Sequence, residues 1–214
     1  MKESAAQHVV YVHGLWMPGG ESRLLAHRLL REFGFQVHAF PYSAGTWGME
    51  EITAHLQSFV RALEVPAVHL VGHSLGGLVI YRFLEHYPEQ PPGRVVFLGT
   101  PCLESRAAVQ AAQLRFVSVL MGPSVAAELL QPRERRWAFH RALGIIAGTQ
   151  SVGLGQFVAG FEEECDGTVA VSETRLPGAA DHITLPVSHM GMLVSPRVAR
   201  ETGLFLRDGR FSLG

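Results

Sequence analysis

Two hydrophobic rhythms alternate along the chain. Short apolar runs rich in β-branched and aromatic residues predict strands at His8–Val12, Phe35–Phe40, Val68–Val71, Val95–Leu98, Gly144–Ala147 and Ile183–Val187. Between them, apolar residues recur at helical spacing: Leu24, Leu25, Leu29 and Leu30 within Glu21–Phe33, then Ile52, Leu56, Phe59, Val60 and Leu63 within Glu50–Leu63. Ser74–Tyr87 and Pro196–Leu206 complete the predicted helices, and Gly34 and Pro88 supply stop signals. Pro186 cannot donate to a ladder, which favours an edge position for the last strand.

Strands separated by helices require crossovers, so the pattern predicts a three-layer α/β/α domain over residues 1–214 around a mostly parallel sheet of about six strands. The alternation breaks once. Residues 101–143 hold no strand signal and read as helical (Ala107–Leu120, then Val125–Phe139), which predicts a cap or lid-like insertion after the fourth strand.

Composition narrows the class. Of 214 residues, 47% are apolar, enough for a substantial core, and only 17% are charged. The formal net charge of −1 leaves no basic excess for phosphate contacts, so no nucleic-acid partner is expected. Cys102 and Cys165 are the only cysteines, too few for a four-cysteine zinc site; a single bridge between them stays open. Met1–Gln7 lacks the apolar run of a signal peptide, and a cytoplasmic protein is expected. Ala142–Phe161 is uncharged, but its glycines, glutamines and hydroxyls argue against a membrane span.

The chemistry concentrates in Gly72-His73-Ser74-Leu75-Gly76-Gly77, which closes an apolar strand and opens a helix. So abrupt a turn strains the residue at its apex and lifts the Ser74 hydroxyl above the sheet, and the flanking glycines remove Cβ atoms that would collide. A serine nucleophile needs a base and an orienting acid. His189 follows the last strand and so falls on the carboxyl rim with Ser74, whereas His182 falls at the strand's other end. His73, beside Ser74, is expected to point elsewhere. Of the three aspartates, Asp166 falls on that rim; Asp181 and Asp208 do not, and Glu164 is the fallback acid. Leu75 N–H, opening the helix, and Leu15 N–H, in the turn His13-Gly14-Leu15-Trp16, are the expected oxyanion donors. Trp16, Met17 and Trp47 on rim loops are candidates to line an apolar acyl pocket.

Together, Gly72–Gly77, Asp166, His189, His13-Gly14 and the Leu98-Gly99-Thr100-Pro101 segment resemble the α/β-hydrolase superfamily, and specifically small bacterial lipases and esterases lacking the first two strands. The resemblance spans nearly the whole chain. It implies an ester hydrolase without cofactor or metal, acting on a small-molecule ester or acyl substrate through Ser74, Asp166 and His189. A thioesterase, an acyltransferase or a non-catalytic binding homologue would carry the same residues. Two departures stand out: the glycine run of many lipases is reduced to His13-Gly14, and Cys165 precedes the acid where many relatives place Asn. Oligomeric state is left open.

Overall fold

The structure, a computed structural model, describes residues 7–15, 20–43, 45–103, 134–151 and 163–212. Six strands, β1 (Gln7–Val12), β2 (Phe35–Phe40), β3 (Val68–His73), β4 (Val95–Leu98), β5 (Leu143–Gly148) and β6 (Asp181–Leu185), form one sheet in the order β2-β1-β3-β4-β5-β6. Every pairing is parallel. The central strands β3, β4 and β5 are buried along their whole length, which is why they read as continuous apolar runs rather than alternating ones. β6 is an edge strand and ends at Leu185, one residue before Pro186.

Among the described residues, four helices cover the two faces: α1 (Arg23–Phe33) with α4 (Pro196–Asp208), and α2 (Met49–Ala62) with α3 (Leu75–His86). Leu25 and Leu29 of α1 and Phe205 and Leu206 of α4 pack on one side; Ile52, Leu56, Leu78 and Phe83 of α2 and α3 pack on the other. Each such side chain contributes roughly 1.5–3 kcal/mol by leaving water. The termini follow local chemistry. α1 ends at Gly34 in the left-handed region (φ 76°), and α4 starts on Ser195, whose side chain accepts from Val198 N–H, with Pro196 next.

The order of the sheet reverses between β1 and β3, because the chain runs from β1 outward to β2 and then returns to β1's other side. At such a reversal the connections leave the strand ends in opposite directions and open a crevice there. The residues at that crevice are His13–Leu15 after β1 and Ser74 after β3, since Val12 pairs with Gly72.

Residues 104–133 of the predicted insertion lie outside the described residues, with the helix over Ala107–Leu120 and most of that over Val125–Phe139. The last part of the second helix is corrected: residues 134–139 are not helical. There the backbone N–H of Trp137 donates to the Pro177 carbonyl (2.8 Å) and its indole N–H to the Arg141 carbonyl (2.6 Å). Burying this large ring edge-on against Phe97 and Phe139 outweighs the helical pattern.

Candidate active site

Ser74 occupies backbone angles φ 54°, ψ −124°, a region that residues with a Cβ rarely adopt. The surrounding glycines make the turn possible by close approach. A Cβ on Gly72 would lie 2.6 Å from Gly77 Cα, and one on Gly76 would lie 2.0 Å from the Val12 carbonyl oxygen. α3 therefore starts hard against the end of β1. This brings the His13-Gly14 turn to the nucleophile: a Cβ on Gly14 would sit 3.1 Å from Ser74 Cβ.

Leu75 is the first residue of α3, where backbone N–H groups lack intrahelical acceptors and the helix dipole is positive. Leu15 follows Gly14 in a turn. The strap beneath these amides is braced: His13 stacks on Tyr42 (centroids 4.1 Å apart), Tyr42 Oη donates to the His13 carbonyl (2.7 Å), and His13 Nδ1 lies 2.7 Å from the Gly14 carbonyl oxygen.

Asp166 is buried, and both its carboxylate oxygens are engaged. Its Oδ1 accepts from the backbone N–H groups of Thr168 (2.9 Å) and Val169 (2.7 Å), while Oδ2 lies 2.7 Å from His189 Nδ1. A carboxylate on Nδ1 places the ring hydrogen there and leaves Nε2 as the basic nitrogen. The other acids are elsewhere. Asp181 accepts from His182 N–H and Phe211 N–H, Asp208 pairs with Arg207 on the surface, and Glu164 is exposed. His182, expected at the far end, is bonded to Thr174 Oγ1 near the start of β6.

Ser74 makes no side-chain hydrogen bond to His189 in this structure; the group stacked obliquely beside the His189 ring is its chain neighbour His73, with centroids 4.7 Å apart. Sequence reasoning missed this contact, and it also missed the role of Gly99. Gly99 (φ 56°) turns directly beneath the acid–base pair, where a Cβ would lie 2.9 Å from Asp166 Oδ2 and 3.1 Å from His189 Nδ1. The Leu98–Pro101 resemblance was the one sequence signal near it.

Among the proposed pocket residues, Trp16 and Met17 lie outside the described residues. Trp47 stacks on His55 of α2 (centroids 4.5 Å apart) and packs against the core. Among the described residues, no group of three or more His, Cys, Asp or Glu side chains could hold a metal ion, and no helix is long and apolar enough to cross a membrane. Cys102 and Cys165 are both free and buried.

Comparison with known proteins places this geometry in context. Residues 9–203 match the alpha/beta hydrolase family. Among solved structures, the mature lipase of Bacillus licheniformis superimposes with a TM-score of 0.76 at 20% identity, over 96% of this chain and 92% of that one. A metagenomic carboxyl esterase gives 0.70 at 18% identity over 92% and 73%, and a carboxylesterase from Bacillus subtilis gives 0.59 at 14% over 96% and 85%. Identities this low speak for a shared fold. Comparison with curated proteins finds no match.

Proposed function

Since the chain belongs to the alpha/beta hydrolase family, a membership its match over residues 9–203 establishes, we propose that it is a serine hydrolase of carboxylic esters. The observation that carries this reading is the 2.7 Å contact between His189 Nδ1 and a buried Asp166, on the same rim as a serine held at strained backbone angles. In the proposed reaction Ser74 Oγ attacks the ester carbonyl carbon and its proton passes to His189 Nε2. The negative charge that develops on the carbonyl oxygen is met by the N–H groups of Leu75 and Leu15. Collapse of the tetrahedral intermediate breaks the bond to the alcohol, which leaves with the proton from His189. Water, deprotonated by the same nitrogen, then releases the acid and restores Ser74. Asp166 stays ionised and holds the imidazole in the required tautomer.

Purified protein is expected to hydrolyse p-nitrophenyl esters of short or medium acyl chains and to form an adduct with a fluorophosphonate at Ser74. Ser74→Ala should abolish both while leaving the melting curve unchanged. Equal hydrolysis by the variant, or an unlabelled wild type, would reject the assignment, and product analysis with an added alcohol separates hydrolysis from acyl transfer.

A further inference from the structure

His73, the last residue of β3, is fully buried, and its ring stands between three parts of the site. It is joined through the chain to Ser74. Its Nε2 lies 3.1 Å from the backbone carbonyl oxygen of His189. Its Nδ1 faces the strap, where a Cβ on Gly14 would come within 3.3 Å. A carbonyl oxygen only accepts, so Nε2 carries the ring hydrogen and Nδ1 is the bare nitrogen. That nitrogen is buried with no hydrogen-bond partner among the described residues. An apolar side chain would avoid burying an unpaired acceptor, so packing alone does not account for an imidazole here.

We propose that His73 is a positioning residue, a role that rests on the hydrolytic reading of Ser74, Asp166 and His189. Its Nε2–H holds the His189 carbonyl and thereby fixes the base against the turn that carries the nucleophile. Asp166 holds the ring and the backbone N–H of His189, and His73 holds its backbone carbonyl. The donor has to survive every protonation state of the cycle, and it does. Burial, with the nearby His189 and His13 rings, lowers the His73 pKa to about 3 despite the opposing hydrogen bond to His189. Among the described residues, the titratable groups facing it are these two imidazoles, with Asp166 beyond His189. A neutral ring at residue 73 also puts no positive charge beside His189 as that base accepts its proton.

The test compares p-nitrophenyl butyrate hydrolysis by wild type, His73→Leu and His73→Gln. His73→Leu is expected to lower kcat by about tenfold to a hundredfold, as displacement of a reacting group does, with KM changed by less than about twofold. His73→Gln, whose amide N–H can reach the same carbonyl, should recover most of the loss. Full activity in His73→Leu, or equal losses in both variants, would overturn the role. Nitrogen-15 spectra of wild type labelled in its imidazoles need no variant. They should show His73 fixed as the Nε2–H tautomer without titrating from about pH 5 to 9, and a titrating ring would overturn it even if His73→Leu fails to fold. Fluorophosphonate labelling of wild type keeps the two readings apart. An unlabelled, inactive wild type with the expected spectrum defeats the hydrolase, whereas a labelled, active wild type whose variants behave alike defeats the positioning role.

Discussion

His189 is tied to Asp166 twice: its backbone N–H donates to the Asp166 carbonyl oxygen at 2.8 Å, and its Nδ1 lies 2.7 Å from Asp166 Oδ2. The two residues are 23 positions apart and sit on the connections after β5 and β6, yet backbone and side chain meet as a pair. A side-chain contact alone would leave the loop of His189 free to swing. The double tie sets the face the ring presents and holds its backbone N–H, while the carbonyl of the same residue meets His73.

The first prediction concerns the acid. Asp166 Oδ1 is occupied by two backbone N–H donors, so in Asp166→Asn the carbonyl oxygen of the amide stays there and its NH2 group must face His189 Nδ1. The imidazole hydrogen then moves to Nε2 and the basic lone pair is lost. Turnover should fall by about 10⁴-fold with the fold intact, as an inverted tautomer in such a triad does. Steady-state kinetics with a thermal melt check this, and a larger loss in Glu164→Gln would show the acid to be misplaced.

Gly99→Ala is the second. The substitution forces a Cβ into left-handed backbone, a strain of roughly 1–2 kcal/mol, and drives it between Asp166 Oδ2 and His189 Nδ1. The expected result is a kcat loss of about tenfold or more together with a lowered melting temperature. An unchanged kcat would mean that the acid–base pair tolerates displacement.

The strands β2 and β4 coincide with the sequence reading to the residue: β4 is a wholly buried apolar run ended by Gly99, and β2, buried at its two ends, is delimited by Gly34 and Pro41. The turn at Ser74 was equally legible: it is local, and its glycines are adjacent in sequence to the residue they serve. What was not legible is long-range. His73 meets a carbonyl 116 residues away, and Gly99 lies beneath residues 67 and 90 positions further on; both meetings are set by sheet order rather than by any pattern in a short window. Trp137 shows the same limit from the other direction, since its tertiary contacts with Pro177 and Phe97 override a helical spacing.

The thiols supply a third prediction. Cys102 is fully buried, and burial pushes its pKa up to about 12 against the opposing pull of Arg135. Cys165 is also buried, with Sγ 2.9 Å from Ser151 Oγ. Native protein should react slowly with a disulfide reagent at mildly alkaline pH, and both thiols should react on denaturation. One fast equivalent in the native state would show an accessible thiolate.

Stability should fall on mild acidification, and His69 identifies a cause. Its Nδ1 accepts from the Arg94 backbone N–H at 3.0 Å, so the ring is held neutral. Burial first, then the Arg94 and Arg141 cations, lowers its pKa to about 4; His73 lies lower still, and His38 and His182 shift the same way. An unfolded histidine titrates near about 6.5, so below that pH the unfolded chain binds protons that the folded chain refuses. The stability owed to a neutral His69 is complete above about pH 6.5 and is lost as pH falls toward 4, roughly 2 kcal/mol of it by pH 5. Against a typical total of about 5–15 kcal/mol, that is a visible drop in melting temperature. In His69→Asn the amide oxygen can accept the same Arg94 N–H without ever taking a proton. Denaturant melts at several pH values should therefore give this variant a shallower acid slope than wild type, and identical slopes would remove His69 as a cause.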